Sequence, residues 1–189
     1  MITVRELQKD DWPGIEELFG SKGACGGCWC MHWRVEKGGK TWEAVQGEPN
    51  RETFKELVES GKAHGILAFE DAAPVGWCSF GKRSDFPRLE RTKAYRREDT
   101  NGVWCINCFF LAKGYRGKNL GFLMAEKAVK TIKRRKGKLI EAYPVTLSKA
   151  GNKLPSAFSY TGPEVLFQRL GFVEIQRLAP TRPLYRLEL

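Results

Sequence analysis

The chain has 189 residues, with 32 Lys plus Arg against 22 Asp plus Glu, a formal charge of +10 and 42% hydrophobic residues. That length can remove roughly 70% of the unfolded surface from water, so a core needs neither disulfide nor metal, and a single basic domain over residues 1–189 is expected. The longest stretch free of Asp, Glu, Lys and Arg is Thr100 to Ala112, thirteen residues, against about 20 apolar residues for a spanning helix. No membrane partner is therefore expected.

Arg5, Glu6 and Lys9 interrupt the N-terminus before any apolar run, so no secretory signal is expected and the cytoplasm is the predicted location. Cys25, Cys28, Cys30, Cys78, Cys105 and Cys108 are then expected as thiols or metal ligands rather than disulfides.

Ile2 to Leu7 reads as a strand, and Asp10 or Asp11 can cap a helix reaching about Gly20. From Ser21 to Gly47 the chain is rich in Gly, Cys and Trp, which predicts a long loop with helix only around Trp42 to Val45. Asn50 can cap a helix to about Ser60, with Phe54, Leu57 and Val58 on one face. His64 to Glu70 and Val75 to Lys82 form an antiparallel strand pair. Arg83 to Gly102 is a polar connection whose length suggests a lid or binding edge.

Val103 to Ala112 is apolar at alternate and intervening positions, the pattern of a strand covered on both sides. Asn119 to about Arg135 gives the strongest helix pattern, with Leu120, Leu123, Met124, Ala128 and Ile132 on one face. Leu139 to Val145 is the next strand, Thr146 to Thr161 a loop, and Pro163 to Leu170 a short helix. Phe172 to Arg177 is a further strand, and Tyr185 to Glu188 closes the sheet.

The chemically informative unit is the buried strand that stops at a turn holding Gly114 and Gly117 and runs into the long helix. The first N–H groups of a helix lack internal partners and lie at the positive end of its dipole, so an anion gains hydrogen bonds and field there together. From Lys113 to Lys138 there are ten Lys or Arg against one acid, Glu126. A polyanion is the natural partner, either a pyrophosphate-bearing cofactor or nucleic acid; a solvated basic helix face is the plain alternative.

The stretch CFFLAKGYRGKNLGFLMAEKAVK, Cys108 to Lys130, continued by LFQRLGF, Leu166 to Phe172, resembles the GNAT superfamily of acetyl-coenzyme A dependent N-acetyltransferases, and the element order agrees over most of the chain. The family's phosphate turn reads Gln or Arg, two residues, Gly, one residue, Gly or Ala. It falls on Gly114, Gly117 and Asn119, of which only Gly117 matches. The resemblance implies an α/β (α+β mixed) fold with a central twisted, mostly antiparallel sheet of about six to seven strands flanked by helices.

It also implies acetyl-coenzyme A as co-substrate, with Phe110, Leu111 and Ala112 offering strand backbone to the pantetheine arm. Arg116, Gly117, Lys118, Asn119, Leu120 and Gly121 would cradle the pyrophosphate. An amine acceptor would approach from the opposite side and attack directly. Whether the protein is a homodimer stays open.

Phe167 stands where many family members place a tyrosine acid, and Phe cannot donate a proton. Tyr160, seven residues upstream, can take over that role, with packing as its plainer use. For the base, Glu141 in an apolar strand is favoured because burial raises a carboxyl's proton affinity, with an outward salt bridge as its plainer use; Asp85, Glu90 or a water chain are the other candidates, and Tyr143 lines the same cleft.

Gly23 to Arg34 carries Cys25, Cys28, Cys30 and His32, but the alternating spacing suits tetrahedral metal poorly. The resemblance implies instead an acceptor loop shaped by Trp29, Trp33 and Arg34, with plain packing as the alternative. Cys105 and Cys108, three apart in a strand, are expected on opposite faces as core thiols, and His64 as a structural histidine. The rival readings are a decayed module whose basic helix binds nucleic acid, the less expected partner, and a zinc-dependent regulatory domain.

Overall fold

The computed structural model describes residues 1–36, 41–146 and 159–189. The strands β1 (Ile2–Glu6), β2 (His64–Glu70), β3 (Ala73–Lys82), β4 (Trp104–Leu111), β5 (Leu139–Ala142), β6 (Val173–Ala179) and β7 (Arg182–Glu188) form one open sheet in the order β1-β2-β3-β4-β5-β7-β6. Only β4 and β5 run parallel; the other neighbours are antiparallel. Helices α1 (Trp12–Phe19), α2 (Trp42–Val45), α3 (Glu48–Glu59), α4 (Arg88–Arg91), α5 (Leu120–Arg134) and α6 (Glu164–Arg169) flank it. The mixed, mostly antiparallel sheet agrees with the expected fold class.

Helix α5 buries Leu120, Met124, Ala125, Ala128, Thr131 and Ile132, one face at three- and four-residue spacing. It lies against Ile66, Phe80, Ile106, Ile140 and Ala142 of the sheet. On the opposite face α1 and α3 pack Trp12, Ile15, Phe19, Phe54 and Val58 over Leu67 and Trp77. A third cluster joins Trp33, Phe86, Leu89 and Tyr95 to Cys105, Tyr143 and Leu184.

Two predicted caps are not made. The Asp11 carboxylate accepts from the Gln8 N–H at 2.7 Å and pairs with Arg5 at 2.6 Å instead of capping α1. Helix α3 begins before Asn50, with Pro49 in its first turn, and the Asn50 amide donates to the Gly27 carbonyl at 3.1 Å. This bond ties the loop to the helix, a tertiary use that local spacing does not reveal.

Cys105 and Cys108 do not point to opposite faces. The pairing of β3 with β4 slips between Ser79 and Phe80, where Ser79 faces Cys108 and Phe80 faces Ile106. One extra β4 residue, Asn107, interrupts the alternation there. Ile106 and Phe109 thus both pack toward α5, while Cys105 and Cys108 both pack on the other side.

The connection from Arg83 to Gly102 contains a short 3-10 turn, Arg83–Asp85, and α4. It is tied down rather than free: Arg88 N–H donates to the Trp33 carbonyl at 3.1 Å, and Arg83 donates to the Tyr95 carbonyl at 2.7 Å. Of the expected loop from Thr146 to Thr161, residues 147–158 lie outside the described residues. No described helix is long and apolar enough to cross a membrane.

Candidate active site

The turn between β4 and α5 bends through Gly114 (φ 90°), Gly117 (φ 76°) and Asn119 (φ 62°). These are left-handed conformations, which glycine adopts freely and Asn tolerates better than most residues. A Cβ built on Gly117 meets nothing within 4 Å, so the approach to this backbone is open. Asn119 departs from the family glycine while keeping the backbone that glycine would take.

The Asn119 side chain does not cap α5; its amide oxygen accepts from Arg169 Nη1 at 2.9 Å. The first helical bond is Leu123 N–H to the Asn119 carbonyl at 3.2 Å. The N–H groups of Leu120, Gly121 and Phe122 precede that bond and lie at the positive helix end. Tyr115 hydroxyl donates to the Glu70 carboxylate, and Lys118 Nζ lies 5.1 Å from the Tyr115 ring centre, which anchor the turn to β2.

Beside this turn the sheet opens. β4 pairs with β5 only over Trp104 to Ile106, opposite Ile140 to Ala142. Farther along, the Phe109 N–H donates to the Tyr160 carbonyl at 2.6 Å, so the segment carrying Tyr160 fills the place of a neighbouring strand. Ala112 N–H donates to the Val75 carbonyl at 3.0 Å. Because backbone polar groups alternate sides along a strand, Phe110 and Ala112 direct theirs to β3, and Leu111 directs its N–H and C=O into the gap. Of the three residues expected to present backbone to a ligand, Leu111 alone has that orientation.

A cleft of about 410 Å³ follows the gap. Arg116, Gly121 and Leu111 line one end, Cys25, Cys28, Cys30, His32, Trp33 and Trp42 the other, with Tyr160 and Leu166 along the wall. His32 lies among rings, its centroid 4.9 Å from Trp33, 5.5 Å from Trp42 and 5.7 Å from Tyr160. Burial, then Arg88 and Arg182, push His32 down to about 4, so it is neutral near pH 7. Burial pushes the Tyr160 phenol up, so it keeps its proton.

Glu141 is not brought to this cleft. It is fully buried, and its Oε1 accepts from Arg186 at 2.7 Å. Oε2 accepts from Arg83 and from the Tyr143 hydroxyl, the latter at 2.7 Å. Both oxygens are engaged, so the carboxylate holds β5, β7 and the Arg83 connection together. Tyr143 is likewise core, not cleft wall. Asp85 accepts from the Lys82 N–H at 3.0 Å and Glu90 from Arg83 Nε at 2.8 Å, so both expected alternatives are occupied away from the cleft.

The acceptor-loop expectation divides in the same way. Trp33 lines the cleft, while Trp29 packs between Trp12 and Phe19 at centroid distances of 5.7 and 5.8 Å, and Arg34 lies 4.5 Å over the Phe86 ring. Gly23 permits the Trp29 position, since a Cβ there would come within 2.3 Å of the indole nitrogen. Among the described residues no three His, Cys, Asp or Glu side chains are placed to hold a metal ion. His64 stacks near Phe80 at 5.9 Å and its Nδ1 lies 3.2 Å from Arg135.

The family model described as the GNAT acetyltransferase family matches residues 29–150, a span that holds the β4–α5 turn and most of the cleft. The chain belongs to the GNAT acetyltransferase family. Acetyl-coenzyme A is the co-substrate of that family, and this GNAT chain shares its fold with many solved structures. An N-acetyltransferase from Staphylococcus aureus Mu50 is 12% identical, with TM-score 0.58, covering 100% of this chain and 98% of its own.

The PaiA N-acetyltransferase from Thermoplasma acidophilum, solved with coenzyme A, is 14% identical with TM-score 0.57, covering 100% of this chain and 99% of its own. A Salmonella typhimurium structure solved with its cofactor acetyl-CoA is 15% identical with TM-score 0.57, covering 100% and 94%. No curated protein sequence matches the chain.

Sequence reasoning missed Cys28, Cys30, His32 and Cys108 as cleft residues of this GNAT protein. This segment is a run of turns, with Cys28 in a helical conformation and Trp29 and Cys30 in left-handed ones, so no local periodicity marks which of its side chains face the cleft. No local signal exists for Cys108 either, whose direction depends on the bulge at Asn107. Phe167 is fully buried against Phe109 and Phe172, at centroid distances of 6.2 and 5.3 Å.

Proposed function

We propose that the chain, acting as one domain over residues 1–189, moves an acetyl group from acetyl-coenzyme A to a primary amine of a small molecule or protein by direct attack. The supporting observation is that one cleft joins the open α5 turn, the free edge of β4 and an aromatic loop, with the protonated Tyr160 on its wall. When bound, acetyl-coenzyme A supplies the activated carbonyl.

Arg116 and the N–H groups of Leu120, Gly121 and Phe122 hold the pyrophosphate, and the open backbone at Gly117 lets it come close. The Leu111 N–H and C=O match the amide groups of a pantetheine arm, extending the sheet edge. Holding both reactants in one cleft supplies much of the rate.

The surroundings that lower His32 to about 4 equally disfavour an ammonium ion, because burial penalises any cation and two arginines repel it. An amine entering beside His32 therefore binds in its neutral, nucleophilic form, which removes the need for a strong base. Tyr160 then donates its proton to the departing thiolate and takes up the proton that the attacking nitrogen sheds, a role that typically contributes about 10²–10⁴-fold.

Calorimetric titration with acetyl-coenzyme A tests this reading. Micromolar binding is expected for the parent protein. A Gly117→Glu variant should lose it, since a carboxylate in the turn repels the pyrophosphate. Absence of binding by the folded parent protein would overturn the proposed activity.

A further inference from the structure

Building on the acetyl transfer proposed above, we infer that the acceptor is a small aromatic monoamine, a single ring system carrying one amine and no second positive charge. Two ring clusters line the cleft. The Phe19 ring centre lies 6.3 Å from that of Trp77 and 5.5 Å from that of Phe110, and Trp33, Trp42 and Tyr160 gather round His32. The polar edges of two of these rings are already engaged. The Trp77 indole N–H donates to Cys30 Sγ at 3.2 Å, and the Trp33 indole N–H donates to the Asn107 carbonyl at 3.1 Å.

What these side chains leave for a ligand is ring surface, which favours a further ring in offset or edge-to-face contact. Cys28 and Cys108 add sulfur to the lining, a polarisable neighbour that suits aromatic carbon. Burial pushes the Cys28 thiol up to about 11, so it is uncharged near pH 7.

Charge argues against a cationic acceptor. Among the described residues no Asp or Glu lines the cleft, and the sequence of residues 37–40 and 147–158 contains neither. The charged groups that act on His32 are both positive. The Arg88 guanidinium carbon lies 6.0 Å from the Trp42 ring centre, which is itself 5.5 Å from that of His32. Arg182 donates to Oγ1 of Thr161, the residue after Tyr160, at 3.3 Å. Arg34 stands near Cys30 and offsets negative charge on that sulfur. A second ammonium group, as in a polyamine, would therefore lose its hydration in the cleft and gain no carboxylate. Aromatic faces can attract cations, but the Trp42 ring already faces a guanidinium.

Space sets the third limit. The cleft holds about 410 Å³, toward the lower end of the roughly 300–1,000 Å³ of small-molecule sites. The thioester end of acetyl-coenzyme A shares that volume, which leaves room for a compact acceptor.

Steady-state kinetics of the full-length protein with acetyl-coenzyme A test the assignment on phenethylamine, hexylamine and spermidine. The kcat/KM for phenethylamine should exceed that for hexylamine by roughly tenfold and that for spermidine by on the order of 100-fold. Trp42→Ala, which removes a half-buried ring, should raise the KM for phenethylamine several-fold more than the KM for hexylamine. Arg88→Glu should raise the kcat/KM for spermidine by about tenfold by exchanging repulsion for attraction. Circular dichroism establishes that each variant is folded. Better use of spermidine or of a peptide amino terminus than of phenethylamine would overturn the assignment, as would equal use of phenethylamine and hexylamine. Calorimetry of the same amines with the protein ranks them without turnover. A reversed ranking overturns the acceptor class alone, whereas failure of acetyl-coenzyme A to bind overturns the proposed activity.

Discussion

Against α5 the sheet buries Ile66, Phe80, Ile106 and Ile140 with Met124, Ala128 and Ile132, an almost wholly apolar contact. On its other face it buries Arg83, Glu141, Asn107 and Ser79, with the half-buried Cys108, beside Trp33 and Trp77. Among the described residues Ser79 Oγ and Asn107 Oδ1 there have no hydrogen-bond partner. The first face gains stability from area alone, which tolerates small errors in position. The second needs each polar group to meet a partner, and it is where the cleft, the displaced thiols and the neutral histidine all lie. The comparison teaches that one face holds the fold while the other trades apolar burial for chemistry.

The largest effect should come from breaking the buried network on the polar face. Glu141→Leu leaves the guanidiniums of Arg83 and Arg186, 1% and 13% exposed, without their shared carboxylate. Urea unfolding should show a loss of about 3–5 kcal/mol, while acetyl-coenzyme A affinity of the folded protein stays within about twofold. Unchanged stability with abolished transfer would instead make Glu141 a chemical participant and erase the distinction.

A smaller loss tests the apolar face. Phe167→Tyr restores the residue type common in the family but places a hydroxyl among Phe109 and Phe172, where a buried unpaired donor costs about 1–3 kcal/mol. The midpoint of unfolding should fall and kcat should not rise. A rise in kcat would show that this hydroxyl reaches the cleft and that the acid role does not belong to Tyr160.

The smallest effect, taken per pH unit, is a pH dependence. His32 is depressed to about 4 from 6.5, so the folded protein binds fewer protons than the unfolded chain between those values. Its contribution is present above pH 6.5 and is lost as pH falls toward 4, at no more than about 1.4 kcal/mol per unit. His32→Gln, neutral throughout, should flatten the fall of Tm in that window by a few degrees per pH unit. Parallel curves for the two proteins would refute the buried, neutral assignment.

The strand and helix positions on the α5 face were legible because repeated apolar spacing reports burial directly: Leu120, Met124, Ala128 and Ile132 recur at four-residue intervals. The phosphate turn was legible because Gly117 and the strand-to-helix junction are local features. Asn50 and Asp11 do not cap, because Asn50 serves the remote Gly27 carbonyl and Asp11 serves Gln8 and Arg5 on the strand side of the helix. Trp29 and Arg34 were placed in the cleft because residue type alone does not tell which side of a loop a side chain faces.

By itself the sequence determined the mixed sheet, the order of its elements, the basic α5 turn and the GNAT resemblance, since each depends on periodicity or contiguous residues. Only the tertiary structure decided that Glu141 is held between two arginines, that Leu111 is the strand residue facing the gap, and that Cys108 turns toward the cleft. Those outcomes depend on one extra residue in β4 and on contacts between segments far apart in the chain, where a shift of one position turns a side chain to the opposite face.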